Sequence, residues 1–244
     1  MITIGIFAYN EEQDLPVTVQ TVIEAAKLAN DIPVEIIIVN DGSTDNTEKV
    51  ITDLRGKYSN ISSITHQENT GIGTAIMDIV NAASCDKICF VPGDDVFTLY
   101  TLKTMLLSAY KADIILHYHI NSEVRKKGRA FLSFLFTSIY KYVFNLHLIY
   151  VNCIGIYPAT LLKKIAIRSK RHSIAAELNV KILLQGYSYY EVGSYMKPQA
   201  NKSSALTLSN LIDVINTFVL VLYEVKIRDR DKYNKTPVRV VDEV

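Results

Sequence analysis

The chain has 244 residues, of which 49% are hydrophobic and 21% are charged, and this composition excludes an intrinsically disordered protein. The 26 Lys and Arg residues nearly balance the 25 Asp and Glu residues. The net charge of +1 argues against a dedicated DNA-binding protein, and we expect no nucleic-acid partner. Three cysteines do not suit a disulfide framework, and they favour the cytoplasm.

The first hundred residues alternate between apolar runs typical of buried strands and stretches with the apolar spacing of a helix. In chain order we predict a strand at 2–8, a helix at 12–29, a strand at 33–39, a helix ending near 58, a strand at 61–65, a helix at 73–83 and a strand at 87–91. Continuous apolar strands between helices are typical of a parallel sheet covered on both faces. The sequence therefore predicts an α/β fold with a mostly parallel central sheet.

The second half contains two long apolar stretches, at 131–151 and 205–227, which polar residues interrupt. Each is predicted to be an amphipathic helix and not a membrane span, and whether it contacts a membrane or packs within the protein stays open. The apolar N-terminal run has no basic start, so we expect neither a signal peptide nor a spanning helix there. Residues 229–244 are charged and lack a pattern, which predicts a frayed tail.

Polar clusters follow each predicted strand, at 9–11, 40–42, 68–71 and 93–95. Ligands of open α/β sheets bind at the carboxyl edge, where these clusters should meet. Asp94 and Asp95 follow a glycine there, and paired carboxylates can hold a divalent cation that bridges a diphosphate. A solvated turn or a helix cap is the alternative for these two acids.

Gly71 and Gly73 resemble a fragment of a dinucleotide fingerprint, but its third glycine is missing and the first strand has no glycine-rich turn after it. This argues against a Rossmann dehydrogenase. The two glycines either contact a ligand or form a turn that starts a helix. Asp41 likewise has two interpretations, a ligand contact or a simple Asx turn. A nucleotidyltransferase would need a Gly- and Arg-rich loop at 9–12, where none exists.

Four ordered segments, at 9–12, 39–47, 68–75 and 90–95, resemble the signatures of family-2 glycosyltransferases with the GT-A fold. The similarity continues more loosely through Gly155, Glu177, Gly186 and 202–204. It is closest to the branch that holds dolichol-phosphate mannose synthase and other polyprenyl-phosphate glycosyltransferases. The resemblance implies one catalytic domain over 1–228, with a Rossmann-like nucleotide-sugar-binding half at 1–110 and an acceptor-binding half at 111–228.

The resemblance also implies a nucleotide-diphosphate sugar donor, based on UDP or GDP, and a Mg²⁺ or Mn²⁺ ion held by Asp94 and Asp95. The donor-contacting positions that it implies are Ala8, Tyr9, Asn10, Glu11, Asp41, Gly71, Gly73, Gly93 and Asp94. Two positions depart from the family pattern. Pro92 replaces the first acid of the Asp-x-Asp motif, and Gln199 stands near a position where relatives carry an arginine. Lys197 or Lys202 would then have to stabilise the leaving diphosphate.

Arg125 and Arg129 precede the aromatic stretch that begins at Phe131, and in the polyprenyl-phosphate branch this region receives the acceptor phosphate. A solvated charge run is the alternative. Glu177 is the candidate base if the acceptor is instead a hydroxyl, since relatives that act on hydroxyls often carry a pair of acids near this position. His117, His119, His147 and His172 receive no role.

The sequence thus predicts an inverting glycosyltransferase that acts on a polyprenyl phosphate. Two alternatives remain: transfer to a glycan hydroxyl in cell-surface polysaccharide synthesis, and an inactive nucleotide-sugar-binding or scaffold module. A cytoplasmic protein is expected, in peripheral contact with a membrane if its acceptor is a lipid. A homodimer is left open.

Overall fold

The computed structural model describes residues 1–121, 124, 127–169, 173–197 and 208–242. The elements within these ranges are, in chain order, β1 (Ile2–Ala8), α1 (Leu15–Leu28), β2 (Val34–Asn40), α2 (Thr47–Lys57), β3 (Ile61–Thr65), α3 (Ile72–Ala82), β4 (Lys87–Pro92), α4 (Leu99–Leu107), β5 (Ile114–His119), α5 (Lys127–Phe144), β6 (Ile156–Pro158), α6 (Ala159–Leu162), α7 (Ile174–Leu183), β7 (Ser188–Ser194), α8 (Leu208–Tyr223) and β8 (Val238–Arg239). A π-helical turn at Glu224–Arg228 continues α8.

The eight strands form one sheet in the order β3-β2-β1-β4-β6-β5-β7-β8. Every neighbouring pair is parallel except the two that involve β6, which runs antiparallel to β4 and β5. The carboxyl ends of the seven other strands therefore lie along one edge of the sheet. This arrangement confirms the predicted mixed α/β fold with a mostly parallel sheet.

Two hydrophobic cores cover the two faces of the sheet. Alternate residues of β2 divide between them, because Ile36 and Ile38 face the core built with α1, α2 and α4, whereas Ile37 and Val39 face the core built with α3, α5, α7 and α8. Burial on both faces explains why the inner strands are continuous apolar runs. The apolar stripes of the helices supply the other half of each core.

The predicted elements of the first hundred residues are confirmed, and only one boundary is shifted by more than one residue. Helix α1 begins at Leu15, whereas the apolar pattern predicted a start at 12. The backbone N–H groups of Glu11 and Glu12 are instead used in the loop, where they donate to Thr47 and Asp45. Residues 9–14 thus belong to the carboxyl edge of the sheet and not to the helix.

The prediction of a frayed tail is wrong for the described residues up to 242. Val238 and Arg239 form β8, which pairs in parallel with β7. Tyr233 is buried in the core, and the backbone N–H of Lys235 donates to Leu184. The Lys111 ammonium also pairs with the carboxylate of Asp242. These contacts attach the charged segment to the edge of the sheet, although it has no periodic pattern of its own.

Helices α5 and α8 pack against each other through a cluster of aromatic rings. The ring of Phe218 lies 5.1 Å from that of Tyr140 and 5.9 Å from that of Phe144, measured between centroids. The two apolar stretches of the second half therefore form helices, as predicted, although α5 ends at Phe144 and residues 145–151 are not helical. Across the described part of the chain, none of the helices combines the length and apolar character needed to cross a bilayer.

Candidate active site

The four polar clusters predicted at strand ends meet at one edge of the sheet. Strand register sets their level, since Ala8 pairs with Asn40, Asn40 with Thr65, and Phe7 with Pro92. The loops after β1, β2, β3 and β4 consequently leave the sheet side by side. The strand-end positions of the predicted donor site, from Ala8 to Asp95, lie on these loops or at their first residues.

Hydrogen bonds join the loop after β1 to the loop after β2. Asn10 has a positive φ of 57°, a conformation that asparagine tolerates better than most residues. Its backbone N–H donates to the Ser43 hydroxyl at 3.0 Å, and its side-chain oxygen accepts from the Thr44 N–H at 2.8 Å. The Glu11 N–H donates to Thr47 at 2.9 Å. The segment that follows Tyr9 is therefore held in place by protein contacts alone, with the Tyr9 ring exposed.

Asp41 is a buried carboxylate that organises the loop after β3. Its Oδ1 accepts hydrogen bonds from the Thr70 N–H and the Thr70 hydroxyl, both at 2.8 Å, and its Oδ2 accepts from the Gly71 N–H at 2.9 Å. Its Oδ1 also lies 2.7 Å from Nδ1 of His66. Burial favours the neutral acid, but these hydrogen bonds together outweigh it and lower the pKa of Asp41. Asp41 is therefore much more than an Asx turn.

Two glycines allow these loops to approach each other. Gly42 has a φ of 70°, and a Cβ at this position would overlap the backbone of Glu68 and Asn69. Gly71 has a φ of 94° and stands immediately before α3. Positive φ angles are inexpensive only for glycine. Gly73 lies buried in the first turn of the same helix.

A hydroxyl of α1 makes two hydrogen bonds to the turn that carries the predicted metal ligands. The Thr18 hydroxyl of α1 donates to the Gly93 carbonyl at 3.1 Å and accepts from the Asp95 N–H at 3.0 Å. The Gly93 N–H in turn donates to the Phe7 carbonyl at 3.0 Å. Asp95 has a φ of 52°, and Asp94, between the two, is half-buried. The turn is thus anchored to both β1 and α1.

Lys197 pairs with Asp95, and its Nζ lies 2.7 Å from each carboxylate oxygen. The sequence names Lys197 as a candidate cation for the diphosphate, and the fold brings it to this edge through a bridge between Phe97 and Met196. An ammonium that already contacts both oxygens competes with a metal ion for Asp95. Asp94, half-buried in the same turn, is therefore the principal candidate ligand.

The donor set suits a magnesium or manganese ion that arrives with a phosphate ligand. Among the described residues, no group of three or more His, Cys, Asp or Glu side chains could enclose an ion. Mg²⁺ commonly keeps several waters and binds one or two carboxylates together with substrate phosphates. Asp94 fits that requirement, and Asp95 would join it only if Lys197 released its carboxylate.

The prediction that Glu177 is a candidate base is wrong for this structure. Glu177 is fully buried in α7, where Lys181 Nζ donates to its Oε1 at 2.7 Å. Its oxygens also accept from the N–H groups of Arg168 and Ser169, at 2.9 and 2.7 Å. A carboxylate enclosed in this way cannot reach an acceptor hydroxyl. Its burial depends on tertiary contacts that the lone acid in the sequence did not reveal.

Three further predicted residues lie in or beside ranges that are not described. Lys202 and Arg125 fall outside the described residues. Arg129 stands in the first turn of α5 and is half-buried. The predicted acceptor role of Arg125 and Arg129, and the predicted role of Lys202, remain predictions.

His66, the residue that follows β3, was not predicted from the sequence. Its two ring nitrogens lie within hydrogen-bonding distance of Asp41 and Asp78. Its position is the signal that could have identified it, because Tyr9, Asp41 and Gly93, which directly follow β1, β2 and β4, are all predicted site residues. The partner Asp78 lies within α3 and could not have been found without the packing of that helix.

The chain matches the family model described as "Glycosyl transferase family 2" over residues 3–166. One relative, the undecaprenyl-phosphate 4-deoxy-4-formamido-L-arabinose transferase of Yersinia enterocolitica, is 35% identical over 94 residues. That segment covers 38% of this chain and 28% of the relative. The chain therefore matches well under two thirds of the length of this relative.

Solved structures extend the similarity in fold to most of the chain. Staphylococcus aureus TarS 1–349 in complex with UDP-GlcNAc has a TM-score of 0.62 at 18% identity, covering 95% of this chain and 68% of that one. The mannosyltransferase PcManGT from Pyrobaculum calidifontis, in complex with GDP-Man and Mn²⁺, has a TM-score of 0.63 at 15% identity, covering 93% and 64%. These similarities confirm the GT-A fold. With the family model covering more than half of the sequence, the chain belongs to glycosyl transferase family 2.

Proposed function

We propose that this protein transfers a sugar, with inversion, from a nucleotide-diphosphate donor to a polyprenyl phosphate. The observation that carries the proposal is the carboxyl edge of the sheet, where Asp94 stands beside loops already held by Asp41 and Asn10. Loops ordered before binding lose less entropy when a ligand arrives. The edge therefore suits a nucleotide that must be held in one orientation.

Different residues at this edge would bind different parts of the donor. The loops at 9–12 and 66–71, on either side of Asp41, would bind the base and ribose, while the diphosphate would lie towards Asp94. Mg²⁺ or Mn²⁺, when bound there, would supply positive charge to the diphosphate as the leaving group develops. Lys197 would add a second cation once a ligand competes for Asp95. The acceptor would attack the anomeric carbon from the face opposite the diphosphate, which inverts its configuration.

A lipid phosphate is the acceptor that best fits the available chemistry. A phosphate oxygen is already anionic and needs no base, whereas a hydroxyl must lose a proton. The one base candidate from the sequence, Glu177, is fully buried and hydrogen-bonded. The name of the Yersinia relative also includes undecaprenyl phosphate, which is a polyprenyl phosphate. An acceptor assay that showed transfer to a glycan hydroxyl, and none to a polyprenyl phosphate, would contradict this choice of acceptor.

We further propose that α5 and α8 bring the protein to the cytoplasmic face of a membrane as a peripheral protein. Helix α5 exposes Phe131, Phe134 and Tyr142, with 64%, 68% and 89% of each residue accessible to solvent. Helix α8 exposes Ile215 and Val219, each slightly over half accessible. Exposed apolar stripes on two adjacent helices, with exposed basic residues after α8, are typical of an interfacial surface.

The donor site can be tested by calorimetric titration with UDP and with GDP, each with and without Mn²⁺. We expect one nucleotide to bind in a metal-dependent manner, and Asp94→Ala to abolish both that binding and sugar transfer. Asp86→Asn is the matched control, because Asp86 is an exposed acid at the opposite end of the same strand. Unchanged turnover in the Asp94 variant would contradict the proposed site.

The membrane surface needs a separate experiment. We expect the protein to float with liposomes that contain anionic lipid, and Phe134→Ser with Tyr142→Ser to reduce flotation. Tyr110→Ser, which changes an exposed tyrosine after α4, is the control. Light scattering distinguishes a membrane-binding surface from a homodimer interface. If α5 and α8 instead form a dimer interface, the substitutions would dissociate the dimer, and neither the wild type nor the variant would float with liposomes.

A further inference from the structure

His66 occupies a bridge between two carboxylates beside the proposed donor site. Its Nδ1 lies 2.7 Å from Asp41 Oδ1, and its Nε2 lies 2.8 Å from Asp78 Oδ2. Its backbone N–H donates to the Asn40 carbonyl at 2.9 Å, which continues the ladder of β2 and β3 by one residue. The imidazole is largely buried, with 12% of its side chain exposed. His66 thus connects the end of β2 to the middle of α3.

The geometry of this bridge favours the imidazolium form. A neutral imidazole has one N–H, so it can donate to one carboxylate but would turn a lone pair towards the other. Both carboxylate oxygens lie at distances typical of charge-assisted hydrogen bonds. The Thr70 hydroxyl, 3.0 Å from Nδ1, is already placed to donate to Asp41. Protonation at both nitrogens satisfies both carboxylates at once.

Two carboxylates contact the His66 ring, Asp41 after β2 and Asp78 in α3. A third acid, Glu48 of α2, accepts from Thr65 and Asn40, the residues that directly precede His66 and Asp41. Although burial opposes the charged form, the hydrogen bonds to Asp41 and Asp78 raise the pKa of His66 above its ordinary value of 6.5. With two carboxylates and one imidazolium, the bridge has a charge of −1, and loss of the proton changes it to −2.

We propose that His66 is a positioning residue for the donor nucleotide, which as a protonated bridge holds Asp41 and the 66–71 loop in the geometry that binds the base and ribose. This inference rests on the proposed function. Deprotonation has two effects, since it breaks one arm of the bridge and adds negative charge close to an anionic ligand. Both effects weaken nucleotide binding.

The sign of the pH dependence follows from the raised pKa. A group whose pKa is higher in the folded protein contributes stability that is fully present below its unfolded pKa and is lost as the pH rises through its folded pKa. Because the protonated bridge is the form that holds the nucleotide-binding loops, nucleotide affinity should likewise be constant on the acidic side of the His66 titration. On the alkaline side, we expect the Kd to rise about ten- to 150-fold, the size expected when one charge-assisted hydrogen bond is lost.

Two measurements on the whole chain test this proposal. Histidine ring NMR resonances from pH 6 to 9, assigned with His66→Gln, report the protonation of His66 directly. Calorimetry with UDP and GDP in Mg²⁺ over the same range reports the Kd. Asp78→Asn removes one carboxylate from the bridge, so it should move both transitions to lower pH together, a result that a purely structural role would not produce. His147→Gln changes an exposed histidine and should move neither.

The outcomes separate the two proposals. Two results would overturn the positioning role and leave the proposed function intact. One is titration of His66 below pH 6.5, and the other is a Kd that changes neither with pH nor in the His66 and Asp78 variants. Absence of nucleotide binding at every pH would overturn the proposed function and this inference with it. Titration of the ligand's own phosphate is common to all variants and cancels in their comparison.

Discussion

The buried charge of Lys181 provides a sharp test of the role assigned to Glu177. Lys181 is fully buried, and its Nζ lies 2.7 Å from Glu177 Oε1, 2.9 Å from Glu224 Oε2 and 2.7 Å from the Ala166 carbonyl. Lys181→Met keeps the volume but leaves two buried carboxylates without this cation. Removing one partner of a buried ion pair costs about 3–5 kcal/mol. For a domain of this size, that corresponds to a decrease in Tm of about 6–20 °C.

Urea denaturation of the wild type, Lys181→Met, Glu177→Gln and the double variant measures this cost and the coupling between the two residues. We expect the double variant to be more stable than Lys181→Met, because Glu177→Gln removes one uncompensated charge. Glu177→Gln alone should retain transferase activity, since this carboxylate stabilises the fold through its ion pair and hydrogen bonds and does not contact the substrates. A Lys181 variant within about 1 kcal/mol of wild type, or a folded Glu177→Gln protein without activity, would refute the reasoning.

Three further substitutions test other contacts. Thr18→Val removes both hydrogen bonds from α1 to the 93–95 turn, so it should cost about 1–3 kcal/mol in urea denaturation and weaken metal-dependent nucleotide binding. Thr21→Val on the same helix should leave nucleotide binding unchanged. Gly42→Ala should lower the Tm and abolish nucleotide binding because its Cβ overlaps the next loop, while Gly56→Ala, with open space around it, should not. Tyr233→Ala should cost about 3–5 kcal/mol, and Lys111→Ala, at an exposed ion pair, less than about 1 kcal/mol. Equal effects for the last pair would contradict the docking of the C-terminal segment.

The fold of the first hundred residues was predictable because three of their four strands are long and largely apolar. Strand β1 and its neighbours β2 and β4 are buried on both faces, and each spans six or seven residues. Strands β6 and β8 have three and two residues, too short for any periodicity. They exist because neighbouring strands supply their hydrogen bonds, which is information that a local pattern does not contain.

The candidate site shows the same division. Asp41 and Asp94 were recognised because they follow apolar strands, and the strand register explains why such positions meet. Contacts made by residues inside helices were not predictable, since neither Thr18 nor Asp78 differs in its local sequence from an ordinary helix residue. The prediction that Glu177 is a candidate base was wrong for a related reason, because the burial of Glu177 and its pairing with Lys181 depend on how α7 packs.

The loops of the site are held by two chemically different kinds of contact. Hydroxyls of Thr18 and Ser43 hold the turns after β4 and β1, and such neutral contacts do not change with pH or with an approaching charge. His66 and Lys197, in contrast, hold Asp41 and Asp95 through charge. A ligand that brings phosphates and a metal ion acts more strongly on these two charged pairs than on the neutral hydroxyl contacts. The neutral contacts therefore set the shape of the site, while the two ion pairs are the contacts through which donor binding can alter it.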